Sequence, residues 1–199
     1  MAEGEGRLIV LVAGMPGSGK TVFSRVAREM GIPVFTMGDV VREEAARRGL
    51  EPKPEILAEL AKKLREEHGL DVVAKRTLAK VEKSCSSVCV VDGVRSLVEV
   101  EAFRRAGKVV VVAVHSSPAT RFKRLRARGR PGDPTSWEDF RLRDTTELEF
   151  GLGDVIALAD YVISNECIDY DEFVERSRLL LRSIIDRYRG GTEAEQQMC

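Results

Sequence analysis

Apolar runs alternate with amphipathic stretches along nearly the whole chain. Residues 8–13 and 109–114 are six-residue runs without one polar position. Together with 33–36, 87–91 and 161–164 they read as five short strands, the fourth extended to 108–115. Between them lie stretches with a helical period. In 54–67, Ile56, Leu57, Leu60, Ala61 and Leu64 recur at i, i+3 and i+4, which is one helix face. The same reasoning predicts helices over 20–30, 39–48, 70–83, 97–105, 119–127, 136–149 and 170–188. The strands are almost continuously apolar rather than alternating, the pattern of strands buried on both faces in a parallel sheet. Strand–helix alternation gives the same answer, an α/β doubly wound fold with five parallel strands and helices on both faces. Two segments depart from simple alternation: a helical block at 39–83 and a basic segment at 121–143.

A length of 199 residues suits one domain, assigned here to 7–188, and is enough to bury a core without metals or disulfides. Residues 189–199 lack apolar periodicity and read as a flexible tail. Lys and Arg number 32, as do Asp and Glu, so no whole-molecule field draws the chain to nucleic acid or an anionic membrane. Any anion must be captured by a local site. No apolar run approaches a membrane span. Glu3 and Glu5 precede no long apolar stretch, which argues against a secretory leader and for a cytoplasmic protein. Cys85, Cys89, Cys167 and Cys199 complete no metal pattern and are expected to be reduced, mostly buried thiols.

The chemistry begins at Gly14-Met15-Pro16-Gly17-Ser18-Gly19-Lys20-Thr21, a full G-x-x-x-x-G-K-[ST] pattern. It follows a strand and opens a helix, the context that gives the pattern meaning. Glycines let successive backbone N–H groups turn inward, where they and the helix N-terminus cradle phosphate oxygens. Lys20 can reach the β- and γ-phosphates, and the Thr21 hydroxyl can ligate Mg²⁺. ATP and Mg²⁺ are therefore the expected nucleotide and ion. The alternative is a Gly-rich turn that binds nothing.

Asp92 ends the third strand, where ligands bind in open α/β sheets, and is a candidate to hold the metal. A helix N-cap is the competing role. Arg95, just beyond, can face a phosphate. Asp39 follows the second strand. It is either a helix N-cap or the carboxylate that orients an acceptor hydroxyl. The basic segment carries Arg121, Lys123, Arg124, Arg126, Arg128, Arg130, Arg141 and Arg143. Arginines brought over a nucleotide stabilise the charge of phosphoryl transfer, and Gly129 and Gly132 give this segment a hinged tip. Arg128, Arg130 and Arg143 are the candidates by position, and the others read as a solvated helix face. RNA binding is disfavoured, since stacking aromatics are sparse there. His68 and His115 have no partner pattern and read as structural. Trp137 is expected to pack within the lid.

These features occur in an order that resembles dephospho-CoA kinases, members of the nucleoside monophosphate kinase group of P-loop proteins. The signatures are the P-loop, Asp39, Val91-Asp92-Gly93, Arg121-x-x-x-Leu125-x-x-Arg128 and Ala159-Asp160-Tyr161-Val162-Ile163-Ser164-Asn165. Val-Asp-Gly-Val-Arg-Ser and Ala-Asp-Tyr-x-Ile-x-Asn make the chain more similar still to a group of archaeal P-loop kinases described as adenylate-kinase-related or dephospho-CoA-kinase-like. The resemblance spans residues 8–187. It implies a five-stranded parallel sheet, an acceptor-binding helical insertion and an Arg-rich mobile lid. It also implies Asp39 beside the acceptor hydroxyl, Arg128 beside the phosphates and Asn165 near the adenine. Asn165 is the one Asn in the chain. In dephospho-CoA kinases an apolar Pro-Leu-Leu type segment follows the third-strand Asp, whereas here Gly93-Val94-Arg95-Ser96 follows, so the acceptor stays open.

The reading is a phosphotransferase that moves the γ-phosphoryl of Mg·ATP to a small nucleotide or nucleotide-containing metabolite. The alternative is a regulatory or assembly NTPase whose output is nucleotide-dependent binding of a protein or RNA.

Overall fold

The computed structural model describes residues 6–196, with backbone alone for 191–196. Strand β1 (Leu8–Ala13) is buried at every position and lies in the middle of the sheet. The other strands are β2 (Val34–Thr36), β3 (Val88–Asp92), β4 (Lys108–His115) and β5 (Tyr161–Ser164). All neighbours are parallel, in the order β2-β3-β1-β4-β5. Pairing sets Val12 beside Asp92, and Asp92 beside Thr36, at the C-terminal edge. The five-stranded parallel sheet expected from the sequence is the one observed.

Each face of the sheet has its own core. Leu8, Val10 and Val12 pack with Phe23, Val26 and Ala27 of α1 (Lys20–Glu29), and with Phe173, Leu181 and Ile184 of α9 (Tyr170–Gln196). Ile9, Leu11 and Ala13 point to the other face. There they meet α2 (Met37–Arg47), α3 (Pro54–His68), α4 (Val72–Glu82), α5 (Leu97–Arg104) and α8 (Leu152–Ala157). Phe23 is fully buried. Truncating such a ring to Ala costs about 3–5 kcal/mol, transfer and cavity together. The basic segment forms α6 (Pro118–Arg128), a loop and α7 (Trp137–Glu149).

Helix boundaries differ from expectation in instructive places. α2 starts at Met37, two residues early, because Thr36 leaves the sheet in an extended conformation and becomes the N-cap itself. α8 had no sequence expectation. It has six residues between Gly151, whose φ is 93°, and Leu158, too few for a periodic signal. α9 continues to Gln196 rather than ending at Tyr188. The expectation of mostly buried thiols is corrected: Cys85 and Cys167 are exposed and only Cys89 is buried, where desolvation pushes its pKa up to about 11. Cys199, Glu3 and Glu5 lie outside the described residues. Trp137 does pack in the lid, stacked on Phe140 with centroids 5.0 Å apart and edge-on to Phe122, though it stays 40% exposed. No described helix is long and apolar enough to cross a membrane.

β5 begins pairing where Tyr161 faces Val112, and the preceding N–H of Val111 donates instead to Asp160 Oδ2 at 2.7 Å. A side chain thus satisfies the ladder position that β5 does not reach.

Candidate phosphate-binding and transfer site

Gly14 to Thr21 wraps the C-terminal end of β1 and opens α1. The glycines are required by what approaches them. Gly14 has φ 148°, and a Cβ there would lie 2.4 Å from the Val114 carbonyl oxygen of β4. Gly19 has φ 114°, and its Cβ would lie 2.4 Å from Asn165 Nδ2. Pro16 is buried, Met15 packs on the helical-face core, and Gly17 turns with φ 83°. No side chain caps α1 and no acidic residue sits in its first turn. The positive end of the helix dipole therefore stays available to an anion. Ser18 Oγ is buried without a hydrogen-bond partner among the described residues. A glycine-built cradle, an uncapped helix start and an orphaned hydroxyl together fit a bound phosphate chain.

Lys20 folds over the loop and donates to the carbonyls of Gly14 at 2.5 Å and Met15 at 3.2 Å. Burial lowers its pKa, Asp92 and Glu147 oppose that, and Arg95 and Arg143 add to it. The field at this amine thus comes from β3, from the loop after it and from α7. Thr21 stands exposed in the first turn.

Asp92 accepts a hydrogen bond from Ser24 Oγ at 3.0 Å. It caps no helix, because Ser96 caps α5 by accepting from Glu99 N–H. The capping alternative fails for Asp39 as well, since Thr36 holds the N-cap position. Asp39 lies in the first turn of α2, and its Oδ1 accepts from Arg42 Nε at 3.1 Å and Nη2 at 2.5 Å. No group of three or more His, Cys, Asp or Glu side chains among the described residues forms a metal cage. One hydroxyl, Thr21, and one carboxylate, Asp92, are the sparse set Mg²⁺ uses when phosphates and water complete its shell.

The lid arginines are organised by an aspartate that sequence reasoning passed over. Asp133, its side chain only 4% exposed, accepts from Arg128 Nε at 2.8 Å and Nη2 at 2.5 Å, from the Arg130 backbone N–H at 3.0 Å and from Arg143 Nη1 at 3.3 Å. Arg128 first, then the other donors, hold its pKa down to about 2. The Arg130 side chain is exposed at the tip. Arg121, assigned above to a solvated helix face, is instead buried. It forks onto Asp144 at 2.8 and 2.6 Å, donates to the Ser116 and Pro16 carbonyls at 3.2 and 3.3 Å, and lies over the Phe140 ring. No local signal marks this pairing, because Asp144 stands 23 positions away.

Asn165 sits behind the cradle. Its Nδ2 donates to the Ser18 carbonyl at 2.9 Å and its Oδ1 accepts from Arg124 Nη2 at 3.2 Å. Arg95 pairs through Nε with Glu147 Oε2 at 3.0 Å, and its backbone N–H donates to the buried Glu99 at 2.8 Å. Glu147 was not a sequence candidate, and nothing in its local sequence marks it.

The family model for the AAA domain matches residues 13–141. A UPF0200 protein of Hyperthermus butylicus is 64% identical over 181 residues, covering 90% of this chain and 97% of the relative. One from Thermococcus onnurineus is 48% identical over 183 residues, covering 89% and 98%. Among solved structures, shikimate kinase from Bacteroides thetaiotaomicron has a TM-score of 0.60 at 17% identity and covers 90% of this chain and 98% of its own. Shikimate kinase from Acinetobacter baumannii in complex with shikimate gives 0.55 at 16% identity, with coverage of 92% and 95%. At such identity the likeness is one of fold. By fold, by family model and by its relatives, this chain belongs to the archaeal UPF0200 family, built on an AAA-domain P-loop core of kinase-like fold.

Proposed function

We propose that the protein is a phosphotransferase that moves the γ-phosphoryl of Mg·ATP to a small nucleotide or nucleotide-containing metabolite in the cytoplasm. The observation that carries this reading is the convergence on Lys20 of charges from separate elements: Asp92, Glu147, Arg95 and Arg143. A binding switch needs a cradle. A transfer site also needs cations for the charge that develops on the moving group, and carboxylates for the metal and the acceptor.

In this reading residues 14–21 hold the phosphate chain, with Asn165 fixing the loop behind it. Thr21 and Asp92 hold Mg²⁺, which would neutralise phosphate charge. Lys20, Arg128 and Arg130 stabilise the transferring group. Arg95 and Arg143 face anionic groups of the acceptor, and Asp39 orients its hydroxyl once Arg42 yields.

The test is a screen of candidate acceptors with purified protein, Mg²⁺ and ATP, with mass detection of phosphorylated product. Parent protein should make ADP and one phosphorylated acceptor, and Lys20→Ala should make neither above background. Parent-like turnover in Lys20→Ala would overturn the reading. Failure of every acceptor, with a nucleotide-dependent protein or RNA complex in its place, would establish the regulatory NTPase instead.

A further inference from the structure

The outer side of the lid carries a second surface. Arg143 and Glu147 of α7 act on Lys20 and so face the phosphate site. Arg141 lies two positions from Arg143, about 200° round the helix, and Trp137 stands one turn before Arg141. Trp137 is the one Trp in the chain and is 40% exposed. It is seated on the buried Phe140, and its edge contact with Phe122, centroids 5.2 Å apart, joins α7 to α6. There Arg126 lies over the Phe122 ring at 5.7 Å. A cavity of about 300 Å³ opens beside Arg126, between Leu125, Gly129, Pro134 and Thr135. Aromatics are sparse along the sequence of this segment, but the fold gathers Phe122, Trp137 and Phe140 at one place.

The charges around this ring are unmatched. Lys123, Arg126 and Arg141 are exposed and make no hydrogen bond or ion pair among the described residues. The acids that could neutralise them are engaged elsewhere: Asp133 with Arg128 and Arg143, Asp144 with Arg121, and Asp139 in the capping box of α7. Glu138, next to Trp137, is left without a partner among the described residues. On a chain whose charges cancel overall, this is a local excess of cations.

From this arrangement we infer that the outer face of α6 and α7 binds single-stranded RNA, with an unpaired base stacked on Trp137 and backbone phosphates on Lys123, Arg126 and Arg141. An acidic polypeptide would answer the cations but gains little from a flat exposed ring. A duplex would answer them too, but its bases stay stacked on one another. An unpaired base offers the ring a π face, and RNA loops and single strands are where such bases stand open to aromatic and arginine planes. The surface faces away from the cradle. Binding there needs no nucleotide in the cradle and is independent of the transfer reading.

The experiment uses the fluorescence of Trp137, which no other Trp obscures. The full chain is titrated with a short unstructured RNA, with the same RNA in a duplex, and with polyglutamate. The single strand should quench the emission, and the other two should leave it nearly unchanged. Saturating Mg²⁺ and a non-hydrolysable ATP analogue should not move the midpoint. The logarithm of affinity should fall against that of salt with a slope of about −2, from three phosphates at about 0.7 each. Arg141→Gln should weaken binding and reduce that slope by about 0.7, whereas Glu138→Gln should tighten binding. Opposite signs from two exposed neighbours exclude a folding defect as the cause. Trp137→Leu, read by anisotropy of labelled RNA, should weaken binding about tenfold. Absence of quenching overturns the inference, as does duplex or polyglutamate quenching equal to that of the single strand, which would make the face a general or protein-binding cationic surface. Quenching that the ATP analogue abolishes also overturns it, by placing the RNA in the cradle. Each of these comparisons needs no variant to fold, and a failed acceptor screen leaves all of them unaffected.

Discussion

Arg121 and Arg128 stand two turns apart on α6, and each grips both oxygens of an aspartate through two nitrogens, Arg121 end-on through Nη1 and Nη2 and Arg128 side-on through Nε and Nη2. The two grips differ in solvent access. The Arg121–Asp144 pair has side chains 4% and 16% exposed and is reinforced by two carbonyls and the Phe140 ring. In the Arg128–Asp133 pair the arginine is 35% exposed and no aromatic ring among the described residues covers it. A buried ion pair is costly to break because one partner is left charged in a poor solvent. A pair at the water's edge loses little when it opens. The first therefore joins α6, α7 and the phosphate loop into one scaffold. The second is a clasp at the surface, open to water. The same chemical motif serves opposite ends, and water decides which.

Breaking the scaffold pair should have the largest effect. Arg121→Met leaves Asp144 without its fork, and the unfolding free energy should fall by about 3 kcal/mol, read from urea denaturation. Adding Asp144→Leu should recover most of that loss, since the stranded charge is then gone. A cost below about 1 kcal/mol for Arg121→Met alone would place this pair with ordinary surface bridges.

The clasp should be cheaper to open and should respond to acid. Asp133→Asn should cost about 1 kcal/mol at neutral pH, discounted for the solvent that reaches Arg128 and Arg143. The folded pKa of Asp133 is depressed from its ordinary value of 3.8 to about 2, chiefly by the hydrogen bonds from Arg128. Its contribution is therefore complete above the unfolded value and is lost as pH falls from about 4 through 2. Urea midpoints of parent and Asp133→Asn should converge over that interval. A gap that persists at pH 2 would mean the carboxylate's charge is not what closes the clasp.

A third pair completes the series. Arg42 and Asp39 are 50% and 51% exposed and lie on one helix. Arg42→Ala should shift stability by less than about 0.5 kcal/mol, checked by the same denaturation curve. A larger loss would show that solvent access is not what ranks the three pairs.

What the sequence revealed follows this same division between local and distant. The cradle was legible because its parts are contiguous: Leu8–Ala13 is a strand, Gly14 to Thr21 a turn, and the next residues a helix. The sheet was legible because buried strands need continuous apolar runs. One helix start was misread, that of α2, whereas α5 begins at Leu97 as expected. Thr36 and Ser96 took the cap positions, and that left Asp39 and Asp92 free for other work. The ion pairs were illegible. Nothing near Arg121 announces Asp144, nothing near Arg95 announces Glu147, and Asp133 looks like a plain loop residue until three arginines are folded around it. Asn165 stood out by being solitary, but its partner, the Ser18 carbonyl, lies 147 positions away.

Asp160 and Asn165 are the two ends of a six-residue gauge. Asp160 grips the Val111 N–H at one end, and Asn165 grips the Ser18 carbonyl at the other. Between them Ile163 is 7% exposed and Val162 63% exposed. If β5 slid by a single residue those two would trade places, and the asparagine amide would travel about 3.3 Å, farther than a hydrogen bond can stretch. A carboxylate at the N-terminal end of an edge strand thereby helps fix where the phosphate loop is braced. The register of β5, held at Asp160, thus bears on the position of the Ser18 carbonyl at the other end of the strand.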